Sequence, residues 1–202
     1  MRLVLARHAE TVWHHENRYA GSSDVALTAA GLAQAERLAE WASTAGLAAV
    51  WSSPQSRATA TAAPSARAAG VPLRTDDRLR EVAFGRGEGL TRAEMHRRFP
   101  ADLAAYLAEP ASVPLPGGER GTDAIARAMP ALEEIGAAHP DGTVLVVMHS
   151  TLMRLLLCAV IGVAPDRYRE VFPAVGNAAL TELRWEPGRA GLVSHNVPPV
   201  AR

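Results

Sequence analysis

The chain has 202 residues, of which 48% are hydrophobic and 21% are charged, and this suits one globular domain with a sizeable core. Its 21 basic residues balance its 21 acidic ones, so the formal net charge is zero. A neutral chain has no general attraction for nucleic acid or for an anionic membrane, and we expect neither as a partner. Any anion binding therefore has to be local.

The first half of the chain alternates between predicted strands and helices. An apolar run predicts a buried strand that ends at His8, and the polar residues that follow it predict a loop. Thr28 is a suitable N-cap for a helix that ends near Gly46. The next predicted elements are a strand at residues 47–51, a helix at residues 53–69 and a short strand at residues 71–73.

The segment from Arg78 to Pro116 is the least regular part of the sequence. Its helical patches, at residues 92–98 and 102–108, predict an insertion over one end of the sheet. Beyond it we predict a helix at 122–138, a strand at 143–148, a helix at 152–161, and closing strands at 178–185 and 192–197. This alternation predicts an α/β fold with a mostly parallel, helix-flanked sheet and an antiparallel pair at one edge.

The single cysteine, Cys158, lies in an apolar run, so we expect a buried thiol that forms no internal disulfide. This fits a reducing compartment. No charged leader or lipidation signal precedes the first apolar run. We therefore predict a cytoplasmic location.

Two histidines, His8 and His149, each follow a predicted apolar strand. Parallel sheets bind ligands at the carboxyl ends of their strands, so neighbouring strands would bring both rings and Arg7 to one crevice. A histidine near neutral pH can be a nucleophile, a proton carrier or a metal ligand. With Arg7 and Arg18 nearby, His8 suits attack on a phosphoryl group, because guanidinium groups bind phosphate oxygens. A structural histidine beside exposed arginines is the alternative.

Three further residues could complete such a site. Arg57 lies in the first turn of a predicted helix, where it could face a bound anion or simply be exposed. Glu81 could donate a proton to a leaving alkoxide, with Glu88 and Glu119 as rivals and a solvated surface position as the alternative for each. His149, once protonated, could hold phosphate as a hydrogen-bonding cation.

Several motifs are absent. Without HExxH or CxxC spacing a metal site has little support, and without GxxxxGK[ST] or GxGxxG loops we expect no nucleotide cofactor. We accordingly expect neither metal nor cofactor. The apolar, proline-rich residues 111–116 and Phe84 favour a pocket for a less charged organic group, such as a sugar, nucleoside or other metabolite phosphate.

Five separated landmarks together resemble the histidine phosphatase superfamily, the phosphoglycerate mutase-like or RHG enzymes. The resemblance spans nearly the whole chain and implies a three-layer α/β/α sandwich. It also implies one histidine phosphatase domain over residues 1–202, with a lid at about 78–120. The landmarks are Arg7-His8-Ala9-Glu10-Thr11-Val12-Trp13, Ser52-Ser53-Pro54 with Arg57-Ala58, Leu79-Arg80-Glu81, Pro116-Gly117-Gly118-Glu119 and Val147-Met148-His149.

The resemblance also implies a reaction. The chain would be a metal-independent phosphomonoesterase in which His8 becomes phosphohistidine and Glu81 acts first as general acid and then as base. The phosphate pocket would consist of Arg7, Arg57 and His149. Further substrate-binding positions would be Arg18, His14, Gly21, Ser150 and Thr151. The partner would be a small-molecule phosphate ester, and a homodimer stays open.

The chain departs from the family pattern at four positions. Ala9 and Ser150 replace glycines, His14 replaces an asparagine, and Ala20 replaces a polar residue. We still expect activity, because the charged pocket residues are present. The alternatives are a mutase-type phosphotransferase and a weakly active phospho-ligand-binding scaffold, and Val82 after Glu81 favours hydrolysis over the mutase.

Overall fold

The computed structural model describes residues 1–186 and 188–200. Its strands are β1 (Arg2–Arg7), β2 (Leu47–Ser52), β3 (Leu73–Thr75), β4 (Thr143–Met148), β5 (Leu180–Glu186) and β6 (Arg189–Val197). Its α-helices are α1 (Ala29–Thr44), α2 (Ser56–Ala69), α3 (Arg92–Arg98), α4 (Pro100–Ala108), α5 (Gly121–Ala138), α6 (Ser150–Ile161) and α7 (Tyr168–Val171). Short 3-10 helices occupy Asp77–Leu79, Gly85–Gly87 and Pro165–Arg167.

The strands form one six-stranded sheet in the order β3-β2-β4-β1-β5-β6. Strands β1 to β4 run parallel, β5 is antiparallel to β1, and β6 is antiparallel to β5. The prediction of a mostly parallel sheet with an antiparallel pair at one edge is therefore confirmed.

Side chains of the central strands alternate between two apolar cores. In β1, Leu3 and Leu5 belong to the core that contains residues of α5 and α6, whereas Val4 and Ala6 belong to the core that contains residues of α1 and α2. A strand buried on both faces has to be apolar at every position, which explains the continuous apolar runs of β1 and β4. The result is an α/β/α sandwich, as predicted.

Several predicted boundaries are wrong by two or three residues, among them the start of β6, which is Arg189 instead of Leu192. Two of these differences have clear local reasons. Strand β3 begins at Leu73 instead of Val71, because the Val71 N–H is bonded to the Ala66 carbonyl at the end of α2 and Pro72 has no N–H. Helix α2 begins at Ser56, because the N–H of Ser53 is still bonded to β4. The short helix α7 was not predicted.

Helices α3 and α4, which belong to the irregular segment at residues 78–116, pack on the same side of the sheet as α5 and α6. Met95 of α3, and Leu103 and Tyr106 of α4, are buried in the same core as Leu3. No helix in the described ranges is long and apolar enough to cross a membrane.

Candidate active site

The carboxyl ends of β1 and β4 bring the two predicted histidines together. Arg7 is the register partner of Met148, and the N–H of His8 donates to the Met148 carbonyl at 2.8 Å. The rings of His8 and His149 are tilted, with centroids 5.3 Å apart. The two rings are therefore neighbours because the two strands are adjacent, although only His8 of the pair lines the cavity.

His8 is held in the tautomer that leaves Nε2 free to attack. Its Nδ1 lies 2.8 Å from the carbonyl oxygen of Ala9, so the ring proton belongs on Nδ1. Burial and the positive charges of Arg7 and Arg57 hold the pKa of His8 well below its usual range. The ring is therefore neutral at neutral pH and carries its lone pair on Nε2.

Two arginines flank His8, and backbone carbonyls orient both. Arg57 is 1% exposed and donates to the carbonyls of Ser23 at 2.8 Å and Gly21 at 2.7 Å. Arg7 donates to the carbonyl of Val175 at 2.6 Å, and burial lowers its pKa to about 10. Within the described ranges neither guanidinium forms a salt bridge. Burying charge without a direct acidic partner is costly, so this pair favours a bound anion.

The carboxyl group of Glu81 is fixed at the N-terminus of α6. Its Oε1 accepts the N–H groups of Val82 and Leu152 at 2.9 Å, and its Oε2 accepts the N–H of Thr151 at 3.0 Å. A carboxyl group has about four acceptor positions, so one stays free on Oε2 to carry or take a proton. Glu81 is 8% exposed and lines the same cavity as His8.

The two rival glutamates have structural partners instead. Glu88 accepts hydrogen bonds from the hydroxyls of Ser22 and Ser23, and Glu119 forms a salt bridge with Arg127 at 2.6 Å. Neither lines the cavity that contains His8. Arg127 also donates to the Glu81 carbonyl at 3.2 Å, so Glu119 helps to position the Glu81 segment.

His149 differs from its expected form. It is completely buried, and neither ring nitrogen has a hydrogen-bond partner in the described part of the chain. Burial, followed by the charge of Arg57, holds its pKa well below the usual range. Because the ring is buried among positive groups, it is neutral at neutral pH. The sequence had suggested a protonated, cationic ring instead. A neutral ring can still donate one N–H.

The five predicted substrate-binding residues all line the cavity. Arg18 forms salt bridges with Glu16 at 2.5 Å and Glu94 at 2.9 Å. The carbonyl of Gly21 holds Arg57, and the N–H of Thr151 holds Glu81. Ser150 is the first residue of α6. Nε2 of His14 lies 2.5 Å from Nη2 of Arg7.

The replacements of two family glycines cause no backbone strain. Asn17, Ala178 and Asn196 are the described non-glycine residues with positive φ, so Ala9 and Ser150 both have ordinary backbone angles. Ala9 is completely buried, and its N–H donates to Oγ1 of Thr61 at 2.9 Å. An alanine at this position therefore fits the site without distortion.

The cavity has a volume of about 720 Å³ and is strongly cationic. One glutamate, Glu81, lines it together with six arginines, and aromatic side chains complete the wall. Residues 111–116 do not line it, because their apolar members Ala111 and Leu115 are buried in the core. The arginines are Arg7, Arg18, Arg57, Arg92, Arg154 and Arg169, and the aromatic residues include Tyr19, Phe84, Tyr106 and Tyr168.

The sequence reasoning missed six of these wall residues, Tyr19, Arg92, Tyr106, Arg154, Tyr168 and Arg169. Arg154 could have been found, because it lies four residues after Ser150 and so shares a helix face with it. Tyr168 and Arg169 belong to α7, which is too short to show periodicity. Among the described residues no group of three or more metal-binding side chains could hold a metal ion.

The fold and the site together define an α/β protein with a cationic site for a phosphoryl group at the carboxyl ends of its parallel strands. A model of the histidine phosphatase superfamily (branch 1) matches residues 3–198. The chain belongs to this superfamily, and it is a hydrolase of the histidine phosphatase family.

Relatives and solved structures agree with this assignment. The chain is 32% identical to phosphoserine phosphatase 1 of Hydrogenobacter thermophilus, over 98% of this chain and 92% of that protein. It is also 32% identical to glucosyl-3-phosphoglycerate phosphatase of Mycobacterium tuberculosis, over 93% and 87%.

Two similar solved structures come from bacteria. The structure of mycobacterial glucosyl-3-phosphoglycerate phosphatase with VO3 is 29% identical with a TM-score of 0.88, and the match covers 97% of this chain and 99% of that one. Bacillus stearothermophilus YhfR is 30% identical with a TM-score of 0.90, covering 97% and 96%.

Proposed function

We propose that the protein is a metal-independent phosphomonoesterase that hydrolyses a small organic phosphate through a phosphohistidine on His8. The observation that carries this proposal is the state of His8. Its Nδ1–H is fixed by the Ala9 carbonyl, and its pKa is held low, so Nε2 is a ready nucleophile between Arg7 and Arg57.

In the first step Nε2 of His8 attacks phosphorus, the P–N bond forms, and the P–O bond to the leaving group breaks. Arg7, Arg57 and His149 bind the phosphoryl oxygens through N–H donors and stabilise their charge. Glu81, protonated at Oε2, gives its proton to the leaving oxygen, which departs as an alcohol.

In the second step water attacks the phosphohistidine. Glu81, now a carboxylate, takes a proton from that water, the P–N bond breaks, and His8 recovers its lone pair while phosphate leaves. Glu81 ends in its starting protonation state, so the cycle balances.

The surroundings support a small-molecule substrate. Thr91, Arg92 and Ala93 line the cavity together with Phe84 and Tyr106, so we propose that residues 78–120 form a lid within one domain. That domain would span residues 1–202, of which 187, 201 and 202 lie outside the described residues. The printed names of the phosphatase relatives also support a small phosphomonoester.

We propose further that the protein acts in the cytoplasm on a small phosphate ester and not on nucleic acid, and that it can form a homodimer. The buried free thiol of Cys158 is compatible with a reducing compartment. The zero net charge gives no general attraction for nucleic acid.

The test is hydrolysis of p-nitrophenyl phosphate with and without a chelator. We expect wild type to turn over in EDTA and His8→Ala to lose at least about 10⁴-fold in kcat, because the nucleophile is removed. The matched control is His15→Ala, an exposed residue outside the cavity, which should retain activity.

The same assay separates the alternatives. A scaffold would show no turnover on a broad panel of phosphate esters, and a mutase would move phosphate between the hydroxyls of phosphoglycerate faster than it releases inorganic phosphate. Either outcome, or full activity in His8→Ala, would overturn the proposal.

A further inference from the structure

The side chain of Gln55 joins two parts of the site without lining the cavity itself. Gln55 is half-buried and lies at the N-cap position of α2. Its Nε2 donates to the Gly21 carbonyl at 2.8 Å, and its Oε1 accepts the backbone N–H of Glu81 at 3.0 Å. Of the described residues, the wall of the cavity that contains His8 includes Gly21 and Glu81 but not Gln55. A substrate in the cavity would therefore meet the two partners of Gln55 and not Gln55 itself.

The chemistry of these two partners fixes the orientation of the amide. A backbone N–H can only donate, so the Glu81 N–H has to face the amide oxygen, and a carbonyl can only accept, so the Gly21 carbonyl has to face the amide nitrogen. An amide group presents one donor and one acceptor side by side, which matches this pair. A carboxylate at position 55 would set an oxygen against the Gly21 carbonyl, and an apolar side chain would make neither hydrogen bond.

The Gly21 carbonyl, to which the amide is anchored, is itself held in place. It also accepts Nη2 of Arg57 at 2.7 Å, and Nη1 of the same arginine donates to the Ser23 carbonyl at 2.8 Å. A carbonyl oxygen has two lone pairs, so it can accept from the amide and from the guanidinium together. The amide of Gln55 therefore sets the backbone of Glu81 in a fixed relation to the arginine that would hold the phosphoryl group.

The carboxyl group of Glu81 is held at one end by α6 and at the other by its own backbone. Its oxygens accept the N–H groups of Thr151 at 3.0 Å and Leu152 at 2.9 Å. Its backbone is held at the N–H by Gln55 and at the carbonyl by Arg127. A general acid has to lie within hydrogen-bond distance of the oxygen that it protonates, so a small displacement of this backbone would slow proton transfer.

We propose that Gln55 is a positioning residue that sets the general acid Glu81 at the correct distance from the phosphoryl group held by Arg57. This inference rests on the proposed phosphomonoesterase function and adds a residue to it. In the step concerned, the proton on Oε2 of Glu81 passes to the leaving oxygen as the P–O bond breaks, and Gln55 neither gives nor takes a proton. Its effect should therefore appear where the leaving oxygen needs a proton.

The experiment compares two substrates with the same nitroaryl group, p-nitrophenyl phosphate and p-nitrobenzyl phosphate. A nitrophenolate can leave without a proton, whereas a benzyl alkoxide needs one from Glu81. The value of kcat/KM reports the steps up to formation of phosphohistidine, so the later action of Glu81 as a base does not enter. We expect Glu81→Gln to lose about 10²- to 10⁴-fold in kcat/KM on the benzyl ester and less than about 10-fold on the phenyl ester.

The variant Gln55→Met keeps a stem of similar length and removes both hydrogen bonds of the amide. It should lose about 10- to 100-fold in kcat/KM on p-nitrobenzyl phosphate and less than about 3-fold on p-nitrophenyl phosphate. Added to Glu81→Gln, the same change should cost less than about 3-fold on the benzyl ester, because the residue that it positions can no longer give a proton.

The matched control is Gln34→Met, at the other glutamine of the chain. Gln34 is also half-buried, lies outside the cavity, and accepts a backbone N–H, that of Glu10, at 2.8 Å. Loss of this hydrogen bond should change kcat/KM for the two esters by the same factor. Thermal unfolding confirms that each variant is folded.

The outcomes separate this inference from the proposed function. If wild type hydrolyses neither ester, the proposed function fails, and this inference fails with it. If Glu81→Gln loses the same factor on both esters, the assignment of Glu81 as general acid and the role of Gln55 are both wrong. If Glu81→Gln is selective but folded Gln55→Met is not, or if the loss from Gln55→Met persists in the Glu81→Gln background, the phosphatase stands and the positioning role of Gln55 is refuted.

Discussion

At the scale of single residues, His14 is the departure from the family pattern with the clearest chemical consequence. Donors face both ring nitrogens, because Nη2 of Arg7 lies 2.5 Å from Nε2 and the backbone N–H of Thr11 donates to Nδ1 at 2.8 Å. Burial and the charge of Arg7 lower the pKa of His14 to about 4. Protonating Nε2 would therefore set two cations against each other in the phosphate site.

This arrangement predicts a pH-dependent stability. An unfolded histidine titrates near pH 6.5, so between about pH 6.5 and 4 the unfolded chain binds more protons at His14 than the folded chain does. Stability should fall as the pH falls through this window and level off below it. His14→Asn removes the titration and keeps an amide oxygen for Arg7. As the pH falls from about 6.5 to 4, the unfolding free energy of His14→Asn should therefore decrease less than that of wild type. The difference between the two proteins should be at most about 1.4 kcal/mol per pH unit.

Urea unfolding at a series of pH values measures this difference. His8 and His149 also have lowered pKa values, but burial is the main cause in both and is shared by the two proteins, so most of their contribution cancels in the comparison. Exposed His15→Asn is the control and should follow wild type. Equal slopes for wild type and His14→Asn would contradict the pairing of His14 with Arg7.

At the scale of elements, two backbone hydrogen bonds join the two ends of the proposed lid. The N–H of Arg86 donates to the Pro116 carbonyl at 2.9 Å, and the N–H of Glu119 donates to the Ala83 carbonyl at 2.8 Å. Gly85 fits between these bonds because it has φ +52° and no side chain. A Cβ added there would lie 2.4 Å from the carbonyl oxygen of Pro116. The contact between residues 83–86 and 116–119 therefore depends on a glycine at position 85.

The matching prediction compares two glycines that lie on opposite sides of this contact. Gly85→Ala should destabilise the fold by about 2–4 kcal/mol, because it adds a backbone clash to an unfavourable φ. Gly117→Ala has φ +73° but open space around the new Cβ, so it should cost only about 1 kcal/mol. Urea unfolding measures both values. Equal losses of unfolding free energy in the two variants would contradict this prediction, because the close approach at Gly85 would then add nothing to the cost of its positive φ.

The elements also show how far the sequence could be interpreted. Apolar runs fixed β1 and β4 because both faces of these strands are buried, and the strand ends then placed His8 and His149. The start of β3 was beyond such reasoning, because it depends on a hydrogen bond from Val71 back into α2. Arg169 was missed because its helix has only four residues and no periodic pattern.

At the scale of the whole molecule, a chain of zero net charge concentrates cations at one place. The end of β1 contributes Arg7, and α2 and α6 add Arg57 and Arg154 from about 50 and 150 residues further along the sequence. In the rest of the chain acidic residues therefore outnumber basic ones, whereas ion pairs such as Arg78 with Glu134 are neutral in themselves. This uneven distribution suits the small anionic substrate that we propose, and it explains why overall composition predicted so little about function.

The most direct test of the proposed phosphohistidine mechanism is to trap the covalent intermediate. During turnover of p-nitrophenyl phosphate, whose good leaving group makes the first step fast, the enzyme is quenched in base and its peptides are analysed by mass spectrometry. We predict a base-stable, acid-labile phosphoryl group on the peptide that contains His8, and none in His8→Ala. A phosphoryl group on another residue, or full turnover with no protein-bound phosphoryl group, would contradict the assignment of His8 as the nucleophile.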